Sequence, residues 1–350
     1  MKRFMGFFLA VCLLLSFAGC AKKPAAKTND QPTPEPECPV VGICLPEESQ
    51  QWKENAQMLR EELQALGFEV KTEYAQNDPQ MQLKQIKALA EEQVACLVVA
   101  PADAMALTQE LEESDVAGIP VVAYDRQLQD LEVADAAVGF DYFAIGQSLG
   151  EYIVSAKELG TAKEPLSVEF IMGSAEDDRA VQLHAGLLEV LQPYLDTGSL
   201  VCPSGRIGFA DTYVLQEDSR MAAEKLSKCL SDHYEKAPLD ILCVASDDLA
   251  AACEEVLLEA DYTEENWPLI TGQGGLPQAI RQIIDGKQTV TVYKDRAALT
   301  KACAQQVNSL VTGEMISDEE KPQFQNVVVD IKNYEKLLIK TGIYEKQDLK

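Results

Sequence analysis

Residues 95–126 read ACLVVAPADAMALTQELEESDVAGIPVVAYDR. Two short apolar runs, ACLVVAP (95–101) and IPVVAYD (119–125), flank a helical stretch at 104–114. Neither run alternates with polar residues, so each predicts a strand buried on both faces. A helix between two such strands predicts a parallel sheet. The same rhythm extends upstream. VVGICL (40–45) precedes a helix at 50–66, in which Trp52, Ala56, Leu59 and Leu63 recur at three- and four-residue spacing and which Gly67 stops. FEVKTEYA (68–75) and a helix at 79–92 follow. Downstream of DAAVGFD (135–141) the rhythm restarts. Helices at 143–157, 178–194, 218–235 and 248–260 alternate with SVEFIMG (167–173), LVCPSGRI (200–207), LDILCVAS (239–246) and PLITGQ (268–273). The segment 276–314 predicts a helix, the strand TVTVYKD (289–295) and another helix, and NVVVDI (326–331) comes last. The fold class is therefore α/β, with two doubly wound, Rossmann-like lobes.

The first residues concern location. Lys2 and Arg3 form a basic start, residues 7–17 are almost wholly apolar, and small residues stand before Cys20. That pattern predicts an export signal peptide over 1–19. Its apolar part is shorter than the roughly 20 residues of a membrane span. Cys20 after Ala18-Gly19 resembles the lipobox of bacterial lipoproteins, with Phe17 where leucine is usual, so the resemblance implies lipidation of Cys20. Residues 21–37 continue as AKKPAAKTNDQPTPEPE, rich in Pro, Ala and charge without apolar periodicity, so 20–37 is expected to be the lipidated Cys and a flexible linker. Residues 38–350 remain for folding, enough for two lobes.

The chain of 350 residues carries 30 basic and 57 acidic residues, a formal net charge of −27, which repels phosphate backbones and argues against a nucleic-acid partner. Of ten cysteines, eight fall within 38–350 and none forms a CxxC pair, which disfavours zinc and thioredoxin-type chemistry. Cys38 with Cys44, and Cys202 with Cys229, are open as disulfide pairs outside the cytoplasm. Neither GxSxG nor HExxH is present, GQGGLP (272–277) lacks a Rossmann spacing, and the two histidines, His184 and His233, are far apart. An enzyme is not expected, nor a cofactor. The acid pairs Asp177-Asp178 and Asp247-Asp248 lack calcium-loop spacing, so no metal is expected.

Ligands of open parallel sheets gather at the carboxyl ends of strands. There the chain places Asp125-Arg126, Asp141, Asp177-Asp178-Arg179, Asp247-Asp248, Gln273 and Lys294-Asp295. Such groups suit a neutral polyol, since each buried hydroxyl left without a partner costs roughly 1–3 kcal/mol.

With VGICLPEESQQW, VVAYDR, GSAEDDRA, LQPYLDTGSL, LITGQ, VTVYKD and the terminal YEKLLIKTGIYEKQDLK, the chain resembles the substrate-binding proteins of bacterial ABC sugar importers over 39–350. The likeness is strongest to the xylose and galactose group. It implies the type I periplasmic-binding-protein fold, with a three-segment hinge near 141–142, 274–275 and 323–326. The lobes would then be 38–141 plus 275–323 and 142–274 plus 324–350. Carried over, it implies ring stacking on Trp52 and hydroxyl contacts from Asp125, Arg126, Asp178, Arg179, Asp247, Gln273 and Lys294. It further implies a monomer, anchored by lipid to the cell membrane on its extracytoplasmic face, that closes on a monosaccharide such as xylose, galactose or glucose and serves carbohydrate transport through an ABC permease. A nucleoside, an autoinducer or another small polar ligand is the alternative, as is sugar sensing through a chemoreceptor or kinase.

The chain departs from that group at Gln51, where Arg is usual, and at Asp178-Arg179, where two Asn are usual. It departs again at Gly274, where Asp is usual, and at Gln216-Glu217-Asp218, which replaces Arg-Trp-Asp and so loses a tryptophan. Phe209 and Tyr213 are the candidate substitutes for that ring.

Overall fold

The computed structural model describes residues 38–113, 118–126, 134–316 and 326–349. The signal peptide, Cys20, the linker and the third hinge segment at 323–325 lie outside them. In chain order the elements of the first lobe are β1 (Val40–Leu45), α1 (Gln50–Ala65), β2 (Glu69–Tyr74), α2 (Pro79–Glu91), β3 (Cys96–Val99), α3 (Ala104–Glu113), β4 (Val121–Tyr124) and β5 (Ala136–Val138). They form a parallel sheet in the order β2-β1-β3-β4-β5.

Alternate residues of these strands go to opposite layers. Val41, Ile43, Leu45, Cys96 and Val98 join Trp52, Leu59 and Leu63 of α1, while Cys44, Leu97, Val99 and Val121 join Leu83 and Ile86 of α2. Both faces are thus covered, which is why the sequence of β1, β3 and β4 reads as unbroken apolar runs. The edge strand β2 instead alternates between exposed and half-buried positions. Helix starts follow from chemistry. Asp78 accepts from the backbone N–H groups of Gln80 and Met81 with Pro79 as the first helical residue, and Asp141 and Asp177 cap the next helices in the same way.

The second lobe begins with α4 (Tyr142–Ala156) and continues through β6 (Leu166–Ile171), α5 (Asp178–Thr197), β7 (Leu200–Val201), the short α6 (Phe209–Thr212), α7 (Ser219–His233), β8 (Ile241–Val244), α8 (Asp247–Glu259) and β9 (Leu269–Ile270). Its parallel sheet runs β7-β6-β8-β9. The strand expected over 200–207 ends at Val201. Pro203 and Gly205, the latter at φ +69°, turn the chain, and Gly205 N–H donates to Cys202 O at 2.9 Å.

After α9 (Pro277–Ile284) come β10 (Val290–Tyr293), α10 (Arg296–Thr312) and β11 (Val327–Asp330). β10 bridges to the second sheet through Thr271–Val290 and Gly274–Tyr293 and pairs antiparallel with β11. α10 packs on α1, β3, β4 and β5. So 277–293 lies with the second sheet, unlike the expected 275–323 allotment to the first lobe. The chain returns to the first lobe only at Lys294-Asp295, because β10 finds its hydrogen bonds beside β9.

All eight cysteines of the described residues are free, so neither Cys38–Cys44 nor Cys202–Cys229 is bridged. Cys202 Sγ instead donates to Glu169 Oε2 at 3.6 Å. Within α8, Glu254 is buried and its Oε1 has no partner. Burial pushes its carboxyl up from 4.5 to about 8, with Lys287 opposing. A carboxyl raised on folding supports stability below its unfolded value, and that support is lost as pH rises from about 4.5 through about 8. Glu254→Gln should therefore stabilise the protein at pH 9, by on the order of 2 kcal/mol, and leave it nearly unchanged at pH 5. Melting temperatures of both proteins at the two pH values check this.

Candidate functional site

The carboxyl ends of the two sheets face one cleft, seen as two adjoining cavities of about 340 Å³ and about 860 Å³. Arg126, Tyr142, Asp177, Arg179 and Glu217 belong to the walls of both. β4 delivers Asp125 and Arg126, and the start of α5 delivers Asp177, Asp178 and Arg179. Tyr142 and Lys294 stand where the chain passes between lobes.

Asp125 and Arg126 are adjacent in sequence but do not pair with each other. Asp125 sits at φ +59°, a conformation aspartate tolerates, and its N–H donates to Val138 O at 2.8 Å. Its carboxylate is buried and accepts from Arg179 Nη1 at 2.8 Å, a residue of the other lobe. The same guanidinium donates from Nε to both oxygens of Asp177 at 2.9 and 3.0 Å. Burial works against the charge on Arg179, but Asp177, Tyr142 and Asp125 outweigh it and hold its pKa well above the ordinary value. Burial likewise opposes the charge of Asp177, which Arg179 nevertheless keeps well below the usual carboxylate range. An ion pair therefore spans the two lobes.

Arg126 donates from Nη1 to Pro101 O at 3.1 Å, while its Nε is buried without a partner. Burial, followed by the like charge of Arg179, lowers its pKa. Its guanidinium carbon lies 5.6 Å from the Trp52 ring centroid, and Trp52 meets Tyr124 edge to face at 6.4 Å. Trp52 lines the larger cavity but is only 3% exposed, so the ring expected to stack on a sugar is largely covered. Tyr142 Oη donates to Asp125 Oδ1 at 3.4 Å and accepts from Lys294 Nζ at 3.2 Å. Lys294 keeps further N–H groups for a ligand.

On the far wall, Gln273 Oε1 is buried and without a partner. Asp247 lines the larger cavity, yet its carboxylate accepts from Gln288 Nε2 at 2.7 Å, from Thr291 Oγ1 at 2.8 and 3.0 Å, and from Gly275 N–H at 2.7 Å. Burial raises its pKa against those bonds. Most of its acceptor capacity is spent on its own lobe. Asp178 lies exposed in the wall of the smaller cavity and accepts from Gln182 Nε2.

All eight residues singled out for ligand contact thus line one or other cavity. Phe209 and Tyr213 do not. Phe209 packs on His184 with ring centroids 5.6 Å apart, and Tyr213 carries Lys225 Nζ at 5.2 Å over its ring. Sequence reasoning assigned no ligand contact to Asp177, Tyr142, Gln216 or Glu217, which the cleft also contains, although it placed Asp177 among the strand-end groups and Gln216-Glu217 in the run that replaces Arg-Trp-Asp. Asp177 could have been found as the residue that caps α5 beside Arg179.

A two-lobed α/β protein with donors and acceptors from both lobes converging on one cleft has the construction of a ligand-binding protein. The comparisons agree. Residues 41–315 match the family described as periplasmic binding protein domain, so the chain belongs to that family, and its periplasmic relatives imply an extracytoplasmic location. It is 30% identical to the multiple sugar-binding periplasmic receptor ChvE of Rhizobium radiobacter, over 89% of this chain and 92% of that protein. It is 29% identical to the multiple sugar-binding periplasmic protein SbpA of Azospirillum brasilense, over 92% and 94%. Among solved structures, an ABC transporter solute-binding protein from Clostridium phytofermentans with bound β-D-glucose superposes with a TM-score of 0.80. It is 29% identical, covering 89% of this chain and all of that one.

Proposed function

We propose that the chain is a lipid-anchored binding protein that captures a neutral monosaccharide between its lobes and presents it to an ABC permease. The observation that carries this reading is the set of groups from both lobes with hydrogen-bonding capacity left over, two of them without any partner. Arg126 Nε and Lys294 Nζ can donate, and Gln273 Oε1 can accept. A ring of hydroxyls meets both needs at once, whereas a purely apolar ligand would leave them buried and unpaired. The sugar-binding relatives and the glucose-bound structural neighbour support it.

The lobes in this reading are 38–141 with 295–316, and 142–294 with 326–349. They would swing about the segments near Tyr142 and Lys294. Closure follows from differential affinity, since groups of both lobes reach the ligand only when the cleft is shut. No catalytic role is assigned to the cleft.

A thermal-shift panel of pentoses, hexoses, inositols, nucleosides and amino acids tests the ligand class. A ligand at 100-fold over its dissociation constant should stabilise by about 2.7 kcal/mol and raise the melting temperature by several degrees. A rise with nucleosides and none with sugars would overturn the reading. The anchor has its own test. Cys20→Ala should move the protein from the membrane to the soluble fraction, and unchanged membrane retention would refute lipidation.

A further inference from the structure

Glu217 brings a carboxylate into both cavities that accepts no hydrogen bond from any described residue. It stands in a turn where Gln216 and Glu217 both adopt φ +53°, a left-handed conformation that costs roughly 1–2 kcal/mol per residue. The turn is held in place. Gln216 N–H donates to Ser174 Oγ at 3.1 Å, Glu217 N–H donates to Val214 O at 3.1 Å, and Asp218 caps α7. Gly173 makes the room, since a Cβ there would stand 2.7 Å from Glu217 Oε1. Residues 174–248 contribute no aromatic ring to either cavity. This side of the cleft therefore offers a charged acceptor where the resemblance implies a tryptophan.

The charges around Glu217 decide what it can accept. Crowding by the cleft walls, helped by the like charge of Asp177, raises its carboxyl above the ordinary value, while Arg179, Lys294 and Arg126 act the other way. A ligand hydroxyl is a donor that suits this acceptor, since a carboxylate only accepts and the cations beside it favour its charged form. We propose that Glu217 is a specificity-determining residue, accepting a hydrogen bond from one hydroxyl of the ligand and making the cleft require that hydroxyl. This rests on the sugar reading above.

The test is a thermodynamic cycle on the full chain in detergent. Calorimetric titrations would use the tightest-binding monosaccharide and its single-deoxy analogues, against wild type, Glu217→Ala and Glu217→Gln. Wild type should lose about tenfold or more in affinity for one deoxy sugar. Glu217→Ala should bind the parent sugar correspondingly weakly and separate it from that deoxy sugar by less than about threefold, because the two deletions remove one interaction. Equal deoxy penalties in wild type and variants, with melting temperatures of the ligand-free proteins matched, would overturn the assignment. Failure of every monosaccharide to bind wild type would instead sink the sugar reading itself and this proposal with it.

Discussion

Asp125→Ala should lower ligand affinity by about a hundredfold or more, the largest loss expected from any single change in the cleft. The buried carboxylate accepts a charge-assisted bond from Arg179 at 2.8 Å and a longer one from Tyr142 at 3.4 Å. It also supplies part of the negative charge that steadies Arg126. Deleting it removes the first-lobe end of the cross-cleft pair, a class of bond worth about 1.5–3 kcal/mol, and loosens the two arginines beside it. Each 1.4 kcal/mol is a factor of ten in the dissociation constant, so these losses reach the stated size. The left-handed backbone at φ +59° complicates the alanine, which adopts it less readily than aspartate. Asp125→Asn separates the effects, since asparagine tolerates that backbone but carries no charge. Titration calorimetry of both variants checks the prediction, with melting temperature as the control for folding. Affinity within threefold of wild type would leave the Arg179–Asp125 pair as a clasp between lobes only. Tighter binding would mean that Arg179 competes with the ligand for Asp125.

The sheets were legible in the sequence because their strands are buried on both faces. ILCV of β8 and VVAY of β4 have no polar alternation, and helical spacing separates such runs along the chain. What local pattern cannot carry is which partner a side chain finds. Asp125 stands beside Arg126 in the sequence but finds Arg179, 54 residues away. Asp247 looked free for ligand, but its partners Gln288 and Thr291 lie 41 and 44 residues on. β10 is ambiguous for a related reason. A short buried strand reads alike in either lobe, and only its bridges to Thr271 and Gly274 assign it to the second sheet. Glu217 showed in the sequence only as part of the Gln-Glu-Asp run that stands where the resemblance implies a tryptophan. A carboxylate in Leu-Gln-Glu-Asp reads as solvated surface, and the residue is exposed, but Gly173 and the left-handed turn set it in the cleft wall.

Gly186→Ala should cost about 3 kcal/mol of stability, against the gain of nearly 1 kcal/mol that alanine ordinarily brings to a helix interior. The reason is backbone contact between α4 and α5. A Cβ on Gly186 would lie 2.0 Å from Phe143 O and 3.1 Å from Gln147 N, and one on Gly146 would lie 2.1 Å from Leu183 O. These obstacles are main-chain atoms, which no rotamer change removes, so the helices must separate by more than an ångström. Separation loosens the layer where Ile145, Leu149 and Ile153 meet Leu183, Leu187 and Leu191, all buried. Urea unfolding of Gly186→Ala beside Gly160→Ala is the measurement, since nothing lies within 4 Å of a Cβ at residue 160. The second variant should be nearly neutral, and equal stabilities for the two would refute the close-packing account. The stability loss carries a functional one. Tyr142 is the first residue of α4, so displacing that helix draws its hydroxyl away from Asp125 and Lys294. Gly186→Ala should therefore weaken ligand binding as well, although residue 186 lines neither cavity.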